Sequence, residues 1–418
     1  MRTDVSIDKR KIALLAVLYA SQGLAPGFAF VAVPALLRGQ GVSLMGVGLS
    51  TLLMLPMAFK FVLGPWADGV AVAGRDRSWM TALQSGAALC FFGLTLVPPA
   101  RGAVPFLAVI GVAYLLIAVV DVITDGVAVR LLTAEERPLG NAAQYGGYYA
   151  GAVFSGGLFL AILPHVGWGP AVTLLAMLIL AGLAAARALP ALPAPPPAAA
   201  AAPRASVLAF LFGPIAWQVL VLLLLLDLPQ NIGIAMLGPF LVDGGLSLPQ
   251  VGLVYGIGGM LAAAAGAFAG GALLSRVPRV TALVIAGALQ ALSLLGLAAA
   301  ATQPKLSLAT AFAVVCTASG LASAFNITIS SWFMDNSSPR QPATDYSVMS
   351  CAHVASYAWF GGLAGIGAAA VGFPAFFATT GVLALVLGLI GWPWLRRLSA
   401  GRSAAAAAPL PAVAIAAE

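Results

Sequence analysis

Gly64-Pro65-Trp66-Ala67-Asp68 with the following Gly74-Arg75-Asp76-Arg77, and Gly271-Ala272-Leu273-Leu274-Ser275-Arg276-Val277-Pro278-Arg279 in the second half of the chain, decide the architecture. Each stretch closes a long apolar run with a glycine, a polar residue one helical turn later and a pair of arginines. A glycine lets two helices approach closely, and the charges beside it form a cluster at a membrane surface that can hold one gate state. Gly64, Asp68, Arg75, Arg77, Arg276 and Arg279 are therefore the candidate cytoplasmic gate. Ser275 stands where the first copy has Asp68, so the second cluster is expected to be the weaker one. The same device at the same place in two halves implies that one unit has been duplicated.

Outward from these markers the sequence is 61% hydrophobic and only 8% charged over 418 residues, where a soluble domain carries about 25% charged residues. A membrane helix needs ~20 apolar residues. Apolar runs separated by polar or Pro/Gly breaks predict helices near 12–37, 42–67, 79–98, 103–132, 139–163 and 168–189, then 214–242, 248–274, 280–302, 306–335, 342–369 and 372–395. The chain thus reads as an all-α polytopic membrane protein with 12 transmembrane helices in two six-helix pseudo-repeats. The expected organisation is an N-terminal bundle over 1–190, an Ala/Pro-rich cytoplasmic linker over 191–206, a C-terminal bundle over 207–396 and a disordered tail over 397–418. Parallel repeats of this kind resemble the major facilitator fold, whose substrate sits near mid-membrane between the halves.

Charge sets the expected topology. With the N-terminus inside, only Arg38, Arg101 and Lys305 of the 20 Lys and Arg residues fall outside, and Lys60 falls within a helix, so both termini are expected in the cytoplasm. The net charge of +7 is then a topology signal, and no nucleic-acid partner is expected. Met1 to Lys11 is polar and basic, but the apolar run after it has no small-residue cleavage site, so the first helix is retained. Cys90, Cys316 and Cys351 each lie in an apolar stretch without paired spacing. Neither a disulfide framework nor a metal site is readable, and no cofactor is expected.

An ionisable group in hydrocarbon costs ~2.5–3.5 kcal/mol on insertion scales and must face protein or a wet cavity. Lys60 on the second helix and Asp121 and Asp125 on the fourth are such groups at matching depth. Residues four apart share a helical face, so the two carboxylates form one acidic stripe, and Lys60 is expected to contact one of them. Two readings stand: a static pair that fixes helix packing, or a proton switch in which rearranging the pair between gate states couples a proton to transport.

Polar and aromatic stripes supply the candidate substrate contacts. Asn141, Gln144, Tyr145 and Tyr148 follow helical spacing on the fifth helix; Tyr346, Ser350, His353 and Tyr357 do so on the eleventh, with Asp345 near its cytoplasmic end. Tyr19 and Gln22 on the first helix, Asp227, Gln230 and Asn231 on the seventh, and Ser323, Asn326 and Ser330 on the tenth add further patches. Rings that also carry polar atoms suit an amphipathic organic ligand, although polar side chains also bridge membrane helices without binding anything. Pro229 and Gly233 should loosen the seventh helix beside Asp227, as in a gating helix that bends. His353 could titrate near neutral pH or simply pack through a hydrogen bond.

Leu18-Tyr19-Ala20-Ser21-Gln22-Gly23-Leu24, Leu36-Leu37-Arg38, Gly41-Val42-Ser43-Leu44, Leu55-Pro56-x-x-x-Lys60-Phe61 and Pro65-Trp66-Ala67-Asp68 resemble the muropeptide-permease and acetyl-CoA-transporter branch of the major facilitators. Within it, Asp121-Val122-Ile123-Thr124-Asp125-Gly126-Val127-Ala128-Val129, Gly140-Asn141-x-x-Gln144 and Ala343-Thr344-Asp345-Tyr346 look most like the rhizobactin/pyochelin siderophore permeases. The resemblance implies a single-subunit importer of the bacterial inner membrane that uses the proton gradient to bring in a ferric siderophore, with muropeptide or another peptide-like solute as the alternative. It also implies that Lys60, Asp121 and Asp125 carry the intramembrane charges of the branch. The seventh helix departs from it, because Pro229-Gln230 replaces the Gly-Asp pair of many relatives.

Other classes fare worse. No H-E-x-x-H, G-x-S-x-G or G-x-x-x-x-G-K-[ST] pattern is present, so an enzyme is not expected. A non-transporting sensor or scaffold would not need so many costly polar groups at mid-depth. The expected partners are a small-molecule substrate, protons and lipid.

Overall fold

A computed structural model describes residues 8–63, 66–67, 70, 73–132, 136–190, 208, 211–212, 216–274, 276–336 and 342–407. The expected linker and, from the gate cluster, Gly64, Asp68 and Ser275 lie outside the described residues. Among the described residues twelve helical runs follow one another. They are α1 (Lys9–Gly39), α2 (Leu44–Ala58, continued by Lys60–Leu63), α3 (Asp76–Gly93), α4 (Ala103–Leu131), α5 (137–166) and α6 (Trp168–Ala188) in the first half. The second half has α7 (Ala216–Asp243), α8 (Leu248–Leu274), α9 (Arg279–Ala301), α10 (Leu308–Asn336), α11 (342–371) and α12 (373–407). The apolar run Val348–Arg397 is 50 residues long, about 75 Å as one helix against a hydrocarbon core of ~30 Å. Gly372, at φ 75°, divides it into two crossings.

The turns repeat as the sequence does. Gly41 (φ 79°) and Gly245 (φ 89°) reverse the chain after α1 and α7, and Gly167 (φ 79°) and Gly372 do so after α5 and α11. Side chains disfavour that backbone region, so matching glycines in matching turns are an independent mark of the duplication.

Several helices are less regular than the apolar pattern suggests. In α2, Pro56 has no N–H to give to the preceding turn, and tight turns at Ser50–Met54 and Lys60–Leu63 flank it. In α7 the helix is interrupted at Asp227, two residues before Pro229, and again at Met236, where a bend was expected from Pro229 and Gly233. Widened π-type turns interrupt α1 at Phe28–Ala32, α5 at Val153–Leu158 and α8 at Gly252–Gly259. The helix start at Asp76 falls three residues before the expected 79, and α12 runs on to Ala407 through the alanine-rich stretch read as tail.

Each half has its own packing. In the first, α1 lies against α5, α6 and α4, and Phe28 meets Phe91, Phe106 and Phe159 edge to face at 5.0–6.4 Å. In the second, α9 packs on α10, and α8 meets α10 so closely that a Cβ on Gly266 would collide with the Gly320 backbone. Two of the crossings between the halves are close-packed at glycines. Helix α5 meets α8 at Gly157 and Gly256, where an added Cβ on either would strike the other's helix, and α2 meets α11 at Gly48 and Gly361. Exchanging the halves turns one crossing into the other, since α2 corresponds to α8 and α5 to α11.

Candidate functional site

The mid-depth charges of the first half form one hydrogen-bonded group. Lys60 Nζ donates to Asp121 Oδ2 at 3.0 Å, whereas Asp125 Oδ1 accepts from Tyr19 Oη and from Gln144 Nε2, each at 3.0 Å. One helical turn separates the carboxylates, so α4 presents them on one face and divides their partners: α2 supplies the cation, α1 and α5 the neutral donors. Gln22 Nε2 donates to Thr124 Oγ1 at 2.7 Å, which fixes α1 against α4 behind the acidic stripe. The Lys60 side chain is 37% exposed and that of Asp121 only 9%. The lysine therefore covers the carboxylate beneath it. Removing one partner of a buried pair costs about 3–5 kcal/mol because the other charge stays behind, so the pair tolerates rearrangement only when something else neutralises it.

The second half has a cluster of its own around Asp227, which is 1% exposed at the break in α7. Its Oδ2 accepts from Ser356 Oγ at 2.8 Å and Asn231 Nδ2 at 2.9 Å, and His353 Nδ1 lies 2.9 Å away. Asn231 also donates to Ser356 Oγ at 2.8 Å. The break in α7 puts Asp227 and Asn231 toward α11, so the cluster ties these two helices together at mid-depth.

A cavity of about 360 Å³, lined from both halves, opens against the Asp227 cluster; Lys60, Asp121 and Asp125 are not among its lining residues. Of the substrate candidates read from sequence, Tyr148, Asp227, Gln230, Asn231, Asn326, His353 and Tyr357 line it. Tyr19, Gln22 and Gln144 do not; they stand behind, holding Asp125 and Thr124. The side chains of Asn141, Tyr145 and Tyr346 lie outside the described residues. The lining also includes Tyr114, Tyr149, Tyr255, Gln290 and the methionines Met54, Met57 and Met260, which the sequence reading did not single out. Tyr114 had a signal, since it lies seven residues before Asp121 on the same face of α4. Aromatic rings and adaptable thioethers give the wall broad apolar contact, with polar atoms at few points.

One end of the cavity is sealed by contacts between the halves. Phe30 stacks on Tyr357 with ring centroids 4.7 Å apart, and Thr51 Oγ1 donates to Ala358 O at 2.9 Å. At the surface, Arg38 Nε and Nη2 reach Asp243 Oδ1 and Oδ2 at 2.6 Å each, joining the ends of α1 and α7 by a two-point ion pair. At the opposite end the described ion pairs stay within the first half. Arg130 Nη2 donates to Asp76 Oδ1 at 2.7 Å, Lys11 Nζ to Glu136 Oε2 at 2.5 Å, and Arg77 Nη2 to Leu189 O at 2.7 Å. Arg75, Arg276 and Arg279 are exposed there.

A bundle of apolar helices in two equivalent halves, with a mostly apolar cavity that carries a few polar groups and is closed on one side by contacts between the halves, is the architecture of membrane carriers. Residues 15–358 match the Major Facilitator Superfamily, and the chain belongs to that family. It is a multi-pass membrane protein of that superfamily. The chain is 28% identical over 288 residues to the anhydromuropeptide permease of Escherichia coli (strain K12), a match covering 67% of this chain and 59% of that protein; it spans about three fifths of the curated relative it matches. Among solved structures, a bacterial homologue of the human lysosomal transporter Spinster, inward-facing and unoccupied, superposes with a TM-score of 0.69 at 16% identity, covering 94% of this chain and 98% of that one. A D-xylose-proton symporter does so at 0.70 and 13% identity, covering 93% and 98%. At such identities these two structures speak for the fold alone.

Proposed function

We propose that the chain is a proton-coupled permease of the bacterial inner membrane, acting as a single subunit with both termini in the cytoplasm, that imports an amphipathic, muropeptide-like solute. The observation that carries this reading is a cavity lined from both halves, in which Tyr114, Tyr148 and Tyr149 of the first half face the amide- and aromatic-rich wall of the second. In it the polar ends of a solute meet few directional groups and its apolar parts meet rings and methionines. Proton uptake on Asp125 or Asp121 weakens the hold of Lys60 on the stripe and favours one gate state; release on the other side resets it. The relative named an anhydromuropeptide permease supports the solute class, and the distribution of Lys and Arg supports the orientation.

The test is uptake of labelled anhydromuropeptide into cells lacking their own permease, alongside ferric pyochelin-type and hydroxamate-citrate siderophores. Accumulation of the muropeptide is expected. Accumulation of a siderophore alone would replace this reading with the second one, siderophore import, which the Asp121 to Val129 run and Ala343-Thr344-Asp345-Tyr346 favour.

The Arg38–Asp243 pair should act as a latch on the periplasmic side. Arg38→Asp or Asp243→Arg alone places like charges together and is expected to slow uptake several-fold, while the double exchange restores most of it. Exposed pairs contribute only about 0.2–1 kcal/mol to stability, so thermal unfolding should scarcely move. A double variant as slow as the singles would mean that the pair does not hold the gate.

A further inference from the structure

The charged groups lining or flanking the cavity have partners within the protein, but an uncharged corner of the second half does not. Gln290 at the middle of α9 is 1% exposed, lines the cavity, and has no hydrogen-bond partner among the described residues for either Nε2 or Oε1. Gln230 on α7, 5% exposed and also in the wall, gives Nε2 to Leu226 O at 2.9 Å and leaves Oε1 without a partner. The two helices are neighbours here: a Cβ at Gly287, one turn before Gln290, would stand 3.7 Å from Gln230 Nε2, an ordinary contact distance. Each buried polar group left unpaired costs about 1–3 kcal/mol, and leucine at 290 would avoid that cost. Facing the cavity, these primary amides are placed to bond a group that enters it.

We infer that Gln290 and Gln230 form a recognition subsite for a secondary amide of the solute. This rests on reading the cavity as the transport site. A trans secondary amide directs its N–H and its C=O to opposite sides, so one side chain cannot satisfy both. Gln230 Oε1 accepts the N–H and Gln290 Nε2 donates to the carbonyl. Which atom of the Gln290 amide is nitrogen does not alter the match, because both ends are free to bond. A carboxylate would offer no donor to Gln230 Oε1 and an ammonium no acceptor to Gln290 Nε2. Specificity follows from the same cost: a site built to hydrogen-bond a group rejects analogues lacking it by far more than an apolar pocket rejects a missing methylene.

The experiment uses the full chain in proteoliposomes, wild type against Gln290→Leu, with four probes. These are anhydromuropeptide, its peptide-free anhydrodisaccharide, a hydroxamate-citrate siderophore whose citrate arms are secondary amides, and amide-free ferric pyochelin. Leucine removes an unpaired polar group at nearly constant volume, so thermal unfolding is expected to stay or rise; Gln290→Met serves if the leucine variant is not recovered. Uptake of the transported amide-bearing probe should fall at least tenfold, mainly through KM. Loss for the intact muropeptide but not for the peptide-free disaccharide places the recognised amide in the peptide, and equal loss for both places it in an N-acetyl group. Muropeptide transport unchanged by Gln290→Leu would overturn the subsite and leave the permease reading standing. Transport of the hydroxamate-citrate siderophore instead, sensitive to Gln290→Leu, would overturn the muropeptide reading and support the subsite. Transport of ferric pyochelin alone, or of none of the amide-bearing probes, would overturn the subsite.

Discussion

Asp125→Asn is expected to abolish accumulation against a gradient while solute exchange across the membrane continues. The asparagine oxygen can still accept from Tyr19 Oη and Gln144 Nε2, the two donors that hold Asp125 at 3.0 Å, so the packing of α1 and α5 on α4 survives. The Lys60–Asp121 pair is untouched. What disappears is a site that can take up and release a proton. A proton moving down a one-unit pH gradient supplies about 1.4 kcal/mol, equivalent to tenfold accumulation, and the ratio should drop to one in the variant. Paired uptake and counterflow assays separate the two functions. If the variant still concentrates solute, coupling does not depend on Asp125.

Gly256→Val is expected to have the other large effect, on gating. Its Cβ would collide with the backbone of Gly157 at the crossing of α5 and α8, on the side where Phe30–Tyr357 and Arg38–Asp243 seal the cavity. Overpacking a close contact costs about 1–3 kcal/mol, and here that cost falls only on the state in which this side is closed. Each half keeps its own core, so the protein should fold, while the equilibrium shifts by about tenfold or more toward the opposite state. Net uptake should fall by a similar factor. A cysteine placed at Tyr357 should become more reactive to a membrane-impermeant reagent added from the periplasmic side. Normal uptake with unchanged reactivity would mean that this crossing does not close during transport.

The parts of the fold that were legible are those where one residue meets an unforgiving solvent. Lys60, Asp121 and Asp125 stood out because hydrocarbon penalises charge, and their depth along two helices brought the lysine to the acidic stripe. Which carboxylate it would choose was not legible: the tight turn at Lys60–Leu63 sets the direction of the lysine, and the turn depends on Pro56 and on packing. The π-type turns of α1, α5 and α8 were equally hidden, since they come from the fit of one helix to another. Gln290 escaped notice because, in an Ala- and Leu-rich helix, only the small Ser293 accompanies it at helical spacing, too slight a signal to mark a polar face. Tyr19, Gln22 and Gln144 had the right composition for substrate contacts, yet Tyr19 and Gln144 hold Asp125 and Gln22 holds Thr124 on α4. Sequence spacing marks the face a residue shares with its own helix but not what stands on the other side. The pairs Lys11–Glu136 and Asp76–Arg130 show the same limit, because their basic members had been read only as topology signals.

The most direct measurement is proton movement driven by solute alone. Proteoliposomes of the full chain, loaded with a pH-sensitive dye and given no ion gradient, should acidify internally when anhydromuropeptide is added outside, and those made with Asp125→Asn should not. Solute entry with no change in internal pH in the wild-type vesicles would contradict proton coupling through the α4 carboxylates.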